Sequence, residues 1–156
     1  MDNLSPQQSG KITTHIFSES LTWTPINRLY IQGSLNYVID RGETPAQTDF
    51  GSFIQRSDND YIDGSVTVGY ALTQKTDLQA RYFIYYADNY ADNSAVSVPY
   101  NTSAEEHWIT GTVIHRLSKA MQVTFTYGWN SYVDKLYGGR NDYEAHMLFS
   151  SFKYRF

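Results

Sequence analysis

The sequence predicts an all-β protein: an up-and-down antiparallel sheet of about seven strands in a single region spanning 1–156. Three observations carry this expectation. Apolar residues recur at every second position rather than every third or fourth, the period of a strand with one apolar and one polar side. The connections between the apolar runs alternate between short and long. All four prolines (Pro6, Pro25, Pro45 and Pro99) fall outside the runs, where a missing N–H removes nothing from a ladder.

The first strand is the weakest, with Phe17, Glu19, Leu21 and Trp23 on one side. The second sets Leu29, Ile31, Leu35, Tyr37 and Ile39 against Tyr30, Gln32, Ser34, Asn36 and Val38. In the third, Ile62, Val66, Val68 and Tyr70 oppose Asp63, Ser65, Thr67 and Gly69. The fourth alternates Leu78, Ala80, Tyr82, Ile84 and Tyr86 with Gln79, Arg81, Phe83 and Tyr85. The fifth is marked by Ile109, Val113, His115 and Leu117, and the sixth by Val123, Phe125, Tyr127 and Trp129. Leu148, Ser150, Phe152, Tyr154 and Phe156 make the last. No segment reads as a helix, and none is apolar for the roughly 20 residues that a transmembrane helix needs.

Short turns are expected at Thr24-Pro25-Ile26-Asn27, Thr73-Gln74-Lys75-Thr76 and Ser118-Lys119-Ala120. Long polar loops are expected near 40–59, 88–105 and 134–142, after a flexible start over 1–11. The hairpin is an internal repeat. Trp23, Leu72 and Leu117 each precede a Thr or Ser that opens a short turn, and Leu29, Leu78 and Val123 restart the apolar side.

Alternation does not say what the apolar side touches. In a soluble sandwich it meets a second sheet; in a membrane barrel it meets lipid, and the polar side lines the lumen. The polar sides here hold mainly Ser, Thr, Gly, Gln and Asn, with charges away from strand ends at Asp63, Arg81, Arg116, Lys153 and Arg155. A solvated face would carry more Lys and Glu. Runs of about ten residues suffice to cross a bilayer at a tilt near 45°. Trp23, Tyr37, Tyr70, Tyr86, Trp129, Tyr154 and Phe156 gather toward the ends of the apolar sides, as interfacial girdles do. These features favour a transmembrane β-barrel over the sandwich.

The C-terminal run Phe152-Lys153-Tyr154-Arg155-Phe156 resembles the last strand of bacterial outer-membrane β-barrels, which ends in Phe with aromatic or apolar residues at alternate positions before it. The resemblance implies that Phe152, Tyr154 and Phe156 form a signal read by the barrel-assembly machinery. It implies a location in the bacterial outer membrane, with lipid and lipopolysaccharide as surroundings. With Phe156 on the periplasmic side, the short turns lie in the periplasm and the long loops face outward.

Two features resist this scheme. Single-chain bacterial barrels have an even number of strands, so seven strands imply a partial barrel, completed by further strands of a larger polypeptide or of another subunit. Glu19 falls on the apolar side near mid-strand, unless a bulge or phase slip in the first strand turns it away.

Composition excludes several functions. The net charge is −4 with no massed basic residues, which argues against nucleic acid as a partner. There is no cysteine, so disulfides, thiolate metal sites and Cys nucleophiles are excluded. His15, His107, His115 and His146 are dispersed and promise no metal site. No phosphate loop or nucleophile elbow occurs, and no enzyme activity or cofactor is expected. The expected function is a porin-like channel for passive diffusion of small solutes. Asp63, Arg81, Arg116, Lys153 and Arg155 are its candidate pore-lining residues, and their basic excess suggests a mildly anion-favouring lumen. Two alternatives remain open at this stage. One is a structural barrel sheathing a partner such as a multihaem cytochrome; the other is a small surface barrel whose outer loops bind ligands. Strand count separates them, because interior size grows with the number of strands.

Overall fold

The computed structural model describes residues 11–43, 57–91 and 101–156. Seven strands form one sheet: β1 (Lys11–Ile26), β2 (Leu29–Glu43), β3 (Ser57–Ala71), β4 (Thr76–Asp88), β5 (Ser103–Arg116), β6 (Met121–Asp134) and β7 (Tyr143–Tyr154). Their spatial order is their sequence order, and each neighbouring pair is antiparallel. The fold is therefore all-β and up-and-down. β1 and β7 are not paired with each other, so the sheet is open and has the form of a partial barrel. Among the described residues each strand touches only its sequence neighbours, and no second layer covers either side.

The strands are longer than their apolar runs suggest, from 12 residues in β7 to 16 in β1. They extend into stretches expected to be loop: β2 reaches Glu43, and β5 starts at Ser103. Of the expected long loops, 44–56 and 92–100 lie outside the described residues, as do residues 1–10 of the expected flexible start; Lys11 already belongs to β1. The third loop turns through Gly138 and Gly139, whose φ of 62° and 82° is a backbone form that glycine adopts without steric cost.

The first short turn differs from expectation. β1 continues through Pro25 to Ile26, leaving Asn27 and Arg28 as the turn. Trp23 pairs with Ile31 and Ile26 with Leu29, so Thr24 and Pro25 together oppose Tyr30 alone. Pro25 has no N–H to give the ladder, and a bulge absorbs the defect. The other two turns share one design. Thr73 Oγ1 accepts from the N–H groups of Lys75 and Thr76 at 3.1 and 3.0 Å. Ser118 Oγ accepts from Ala120 and Met121 at 3.2 and 3.1 Å. Each hydroxyl satisfies two turn donors and closes the hairpin at the same offset, the physical basis of the repeat. Thr73→Ala and Ser118→Ala are each expected to cost about 0.5–1.5 kcal/mol, the usual net worth of such bonds, read as a lowered urea midpoint. Thr73→Ser should keep most of the stability.

Several side chains tie the long-loop end, Asn89 with the most bonds. Asn89 Nδ2 donates to the carbonyls of Asp60 and Thr102 at 2.7 and 3.1 Å, and its Oδ1 accepts from the Asp60 N–H at 2.9 Å. It joins β3, just past the last β3–β4 pair of Tyr61 with Ala87, to the segment entering β5.

Side-chain exposure alternates along β3, β5 and β6, and its sense there fixes the curvature; near the short turns of β2 it reverses, with Gln32 and Ser34 exposed and Ile31 and Gly33 half-buried. In β5, Ile109, Gly111, Val113 and His115 are exposed, while Trp108, Thr110, Thr112 and Ile114 between them are half-buried. β3 and β6 repeat the pattern: Val66, Val68, Phe125 and Tyr127 are exposed against half-buried Ser65, Thr67, Thr124 and Thr126. In a single-layer sheet, curvature spreads side chains on the convex side and crowds them on the concave side. The apolar side is thus convex and the polar side concave, an inside-out arrangement relative to a soluble core. Leu35 is 49% exposed and Phe125 55%. Apart from glycines, the buried residues of the concave side, Val38, Ala87, Ala104, Asn130 and Asp134, lie toward the long-loop end.

Candidate functional site: the concave face

Register brings distant residues into rows across the concave side. Asn36 pairs with Asp63, Asp63 with Tyr85, Tyr85 with Glu106, Glu106 with Tyr132, and Tyr132 with Tyr143. Carboxylates and tyrosines therefore alternate along one line from β3 to β6. Tyr61, two residues from Asp63 on the same side of β3, places its ring 5.4 Å from that of Tyr85. The Tyr132 and Tyr143 rings stack at 5.4 Å with 19° between their planes. Both carboxylates are oriented by neutral donors: Asn36 Nδ2 donates to Asp63 at 2.8 Å, and Asn130 Nδ2 to Glu106 at 3.0 Å. Glu106 also accepts from the indole N–H of Trp108.

Nearer the short turns the face changes character. The next row holds Ser34, Ser65, Phe83, Trp108 and Asn130; the one after it holds Gln32, Thr67, Arg81, Thr110 and Gly128. Arg81, Phe83, Trp108 and Thr110 line a shallow recess of about 350 Å³. Below it Tyr30 lies flat across Gly69 and accepts from Gln79 Nε2 at 2.6 Å. Thr112 and Thr126 share a hydroxyl hydrogen bond of 3.0 Å.

Of the candidate pore-lining residues, register places Asp63, Arg81, Arg116 and Lys153 on this concave side, by their pairing with Tyr85, Thr110, Gln122 and Gln122 respectively. Arg155 follows the end of β7, where its backbone N–H donates to Ala120 O at 2.9 Å. The face also carries acids that alternation over the apolar runs had left out. Asp77 sits on it and binds Arg116 Nη2 at 2.6 Å. Glu106 sits on it because β5 begins above the apolar run; counting back by twos from Thr110 through Trp108 would have found it. Arg116 is thus compensated on its own face, and the basic excess behind the expected anion bias disappears. Asp63 and Glu106 hold the long-loop half, and Arg81, Arg116 and Lys153, with Asp77 paired to Arg116, hold the middle and the short-turn end.

Phe152 and Tyr154 lie on the convex side of β7, opposite Val123 and Met121, and are well exposed. Phe156 follows the strand, its ring 6.1 Å from that of Tyr154. The convex side also repeats a pairing that the sequence reading missed. Tyr82 meets His107 and Tyr127 meets His146, each with a 2.7 Å bond to Nδ1 and ring centroids 6.0 Å apart. In both pairs the histidine lies two residues from the tyrosine's direct partner, Ile109 or Leu148. Each pair satisfies one polar atom of the tyrosine and one of the histidine on an otherwise apolar side. Past them, toward the long-loop end, come the ionic groups. Arg41 grips Asp60 through two nitrogens, the second at 3.0 Å, and its Nε lies 3.4 Å from Asp58. Glu19 is the exception. The β1–β2 register is continuous from Lys11 to Trp23 and sets Glu19 opposite Leu35, so no slip turns it from the convex side.

Among the described residues no group of three or more His, Asp or Glu side chains is placed to hold a metal ion. The chain matches no known family model, no curated protein and no solved structure.

Proposed function

We propose that this sheet is part of the wall of a bacterial outer-membrane barrel, a porin-like channel through which small solutes diffuse without a chemical step. The observation that carries this reading is the inverted face chemistry: a convex apolar surface on which, among the described residues, nothing packs, backed by a concave surface of hydroxyls, amides and a few charges. Hydrocarbon contact satisfies the first and water the second. The strand lengths agree, since about ten residues cross the apolar layer at a tilt and the remainder carries the ionic groups beyond it.

The open edges bear on the partner. β1 and β7 both run toward the short-turn end, so they point the same way. Unpaired edge groups in lipid cost several kcal/mol each, and antiparallel closure takes an odd number of further strands, whether from this polypeptide or another subunit. Lipid and lipopolysaccharide then surround the convex face, and Phe152, Tyr154 and Phe156 serve the assembly machinery.

The absence of native cysteine makes the test direct. Single cysteines are introduced at Val66 and Thr67, adjacent in β3 and on opposite sides. In lipid vesicles, Thr67→Cys should react with a membrane-impermeant maleimide at least tenfold faster than Val66→Cys. Equal rates, or the reverse order, would remove the membrane assignment. Stepwise conductance in planar bilayers separates an open channel from a filled interior.

A further inference from the structure

We propose that the row of alternating carboxylates and tyrosines on the concave face is a binding site for an organic ammonium ion. The inference deepens the channel assignment and rests on it in that the concave face must be wet.

Two observations point to a cation. First, Asp63 and Glu106 make no ion pair among the described residues. Their hydrogen bonds come from Asn36, Asn130 and Trp108, neutral donors that fix each carboxylate and leave its charge in place. No described cation neutralises either charge, so an incoming cation meets both unopposed. Second, the space between them is walled by tyrosine. Tyr85 stands between Asp63 and Glu106, with Tyr61 against its ring and Tyr132 within electrostatic reach. Aromatic faces carry a negative quadrupole and attract cations bearing alkyl groups. A third feature concerns how Glu106 is held. Asn130, 3% exposed, donates to Glu106, but its Oδ1 accepts from nothing among the described residues. That oxygen is itself enclosed, so Asn130 serves the site by holding Glu106 in place and not by meeting the guest.

The arrangement discriminates against other ligands. Asp63 and Glu106 are two strands apart, about 10 Å by strand spacing. An ammonium bearing several carbon substituents spans a row of that length by lying over Tyr85. An anion would meet both carboxylates before reaching Arg81, which lies four positions from Tyr85 toward the short turns.

The test is a calorimetric titration of the barrel, purified with all its strands in detergent, against choline chloride, with sodium chloride and glucose as controls. Choline should bind saturably, and glucose should not. Glu106→Gln and Asp63→Asn should each weaken choline at least tenfold, Tyr85→Leu about as much, and Thr126→Ser not at all. Both carboxylate replacements are near-isosteric and keep an acceptor for their donors. Should one fail to fold, raising the salt tenfold on the unaltered protein should weaken choline several-fold. Absence of saturable choline binding, binding indifferent to these substitutions and to salt, or equal binding of glucose would each overturn the proposal. Conductance is recorded in parallel. An open channel with no choline site sinks this inference alone, whereas a choline site without conductance sinks the channel and leaves the site.

Discussion

Val66→Arg should cost about 2–4 kcal/mol of folding stability in a phospholipid bilayer, the penalty for a basic side chain at the midplane of a barrel's lipid face. Thr67→Arg, one residue along β3, should cost under about 1 kcal/mol, because position 67 faces the concave side among Gln32 and Arg81. The contrast is sharper than it looks. Val66 is 47% exposed, and in a water-soluble sheet an arginine there would be nearly neutral, within about 0.5 kcal/mol. The same substitution is mild in water and severe in lipid. Urea unfolding in vesicles, followed by tryptophan fluorescence, reads both values. Similar costs for positions 66 and 67 would mean that the convex side does not face hydrocarbon.

Gly69→Val should destabilise by about 2 kcal/mol, although valine is ordinarily the better strand residue. A Cβ at position 69 would stand 2.0 Å from Cζ of Tyr30, so the ring must leave and its 2.6 Å bond with Gln79 breaks. The diagnosis lies in the double mutant. In a Tyr30→Ala background the obstacle is gone, and Gly69→Val should become neutral or mildly stabilising. A coupling energy above about 1 kcal/mol is expected, as for residues in direct contact. Additive effects would show that the glycine serves the strand's backbone and not the ring lying across it.

Much of this architecture was legible as a string. The period of two gave seven strands and sorted Leu35 from Asn36 and Val66 from Thr67, because in a strand adjacent side chains must point to opposite sides. Thr73 and Ser118 announced their turns because a hydroxyl at that offset satisfies turn donors locally. What failed, failed where the determining contact was not local. Pro25 looked like a turn residue and sits in a bulge, since the ladder it interrupts is resumed by pairing of Ile26 with Leu29. Alternation left Glu106 off the polar side because the apolar period fades before Ile109, yet backbone pairing with Tyr85 and Tyr132 carries β5 onward to Ser103. The phase slip expected to relieve Glu19 is absent for the same reason: an unbroken ladder with β2 holds its parity.

The chain's own order of apolar and polar residues determined the fold class, the strand count and which residues share a side, all consequences of a two-residue period. Register lay beyond its reach. Which tyrosine stands beside which carboxylate depends on how far each hairpin slides against the next, and a slide of two residues preserves every alternation while changing every neighbour. Only the assembled sheet set Tyr85 between Asp63 and Glu106 and gave Asp77 to Arg116. Curvature was likewise undecided until the strands came together, because which side is convex belongs to the whole sheet and to no strand alone.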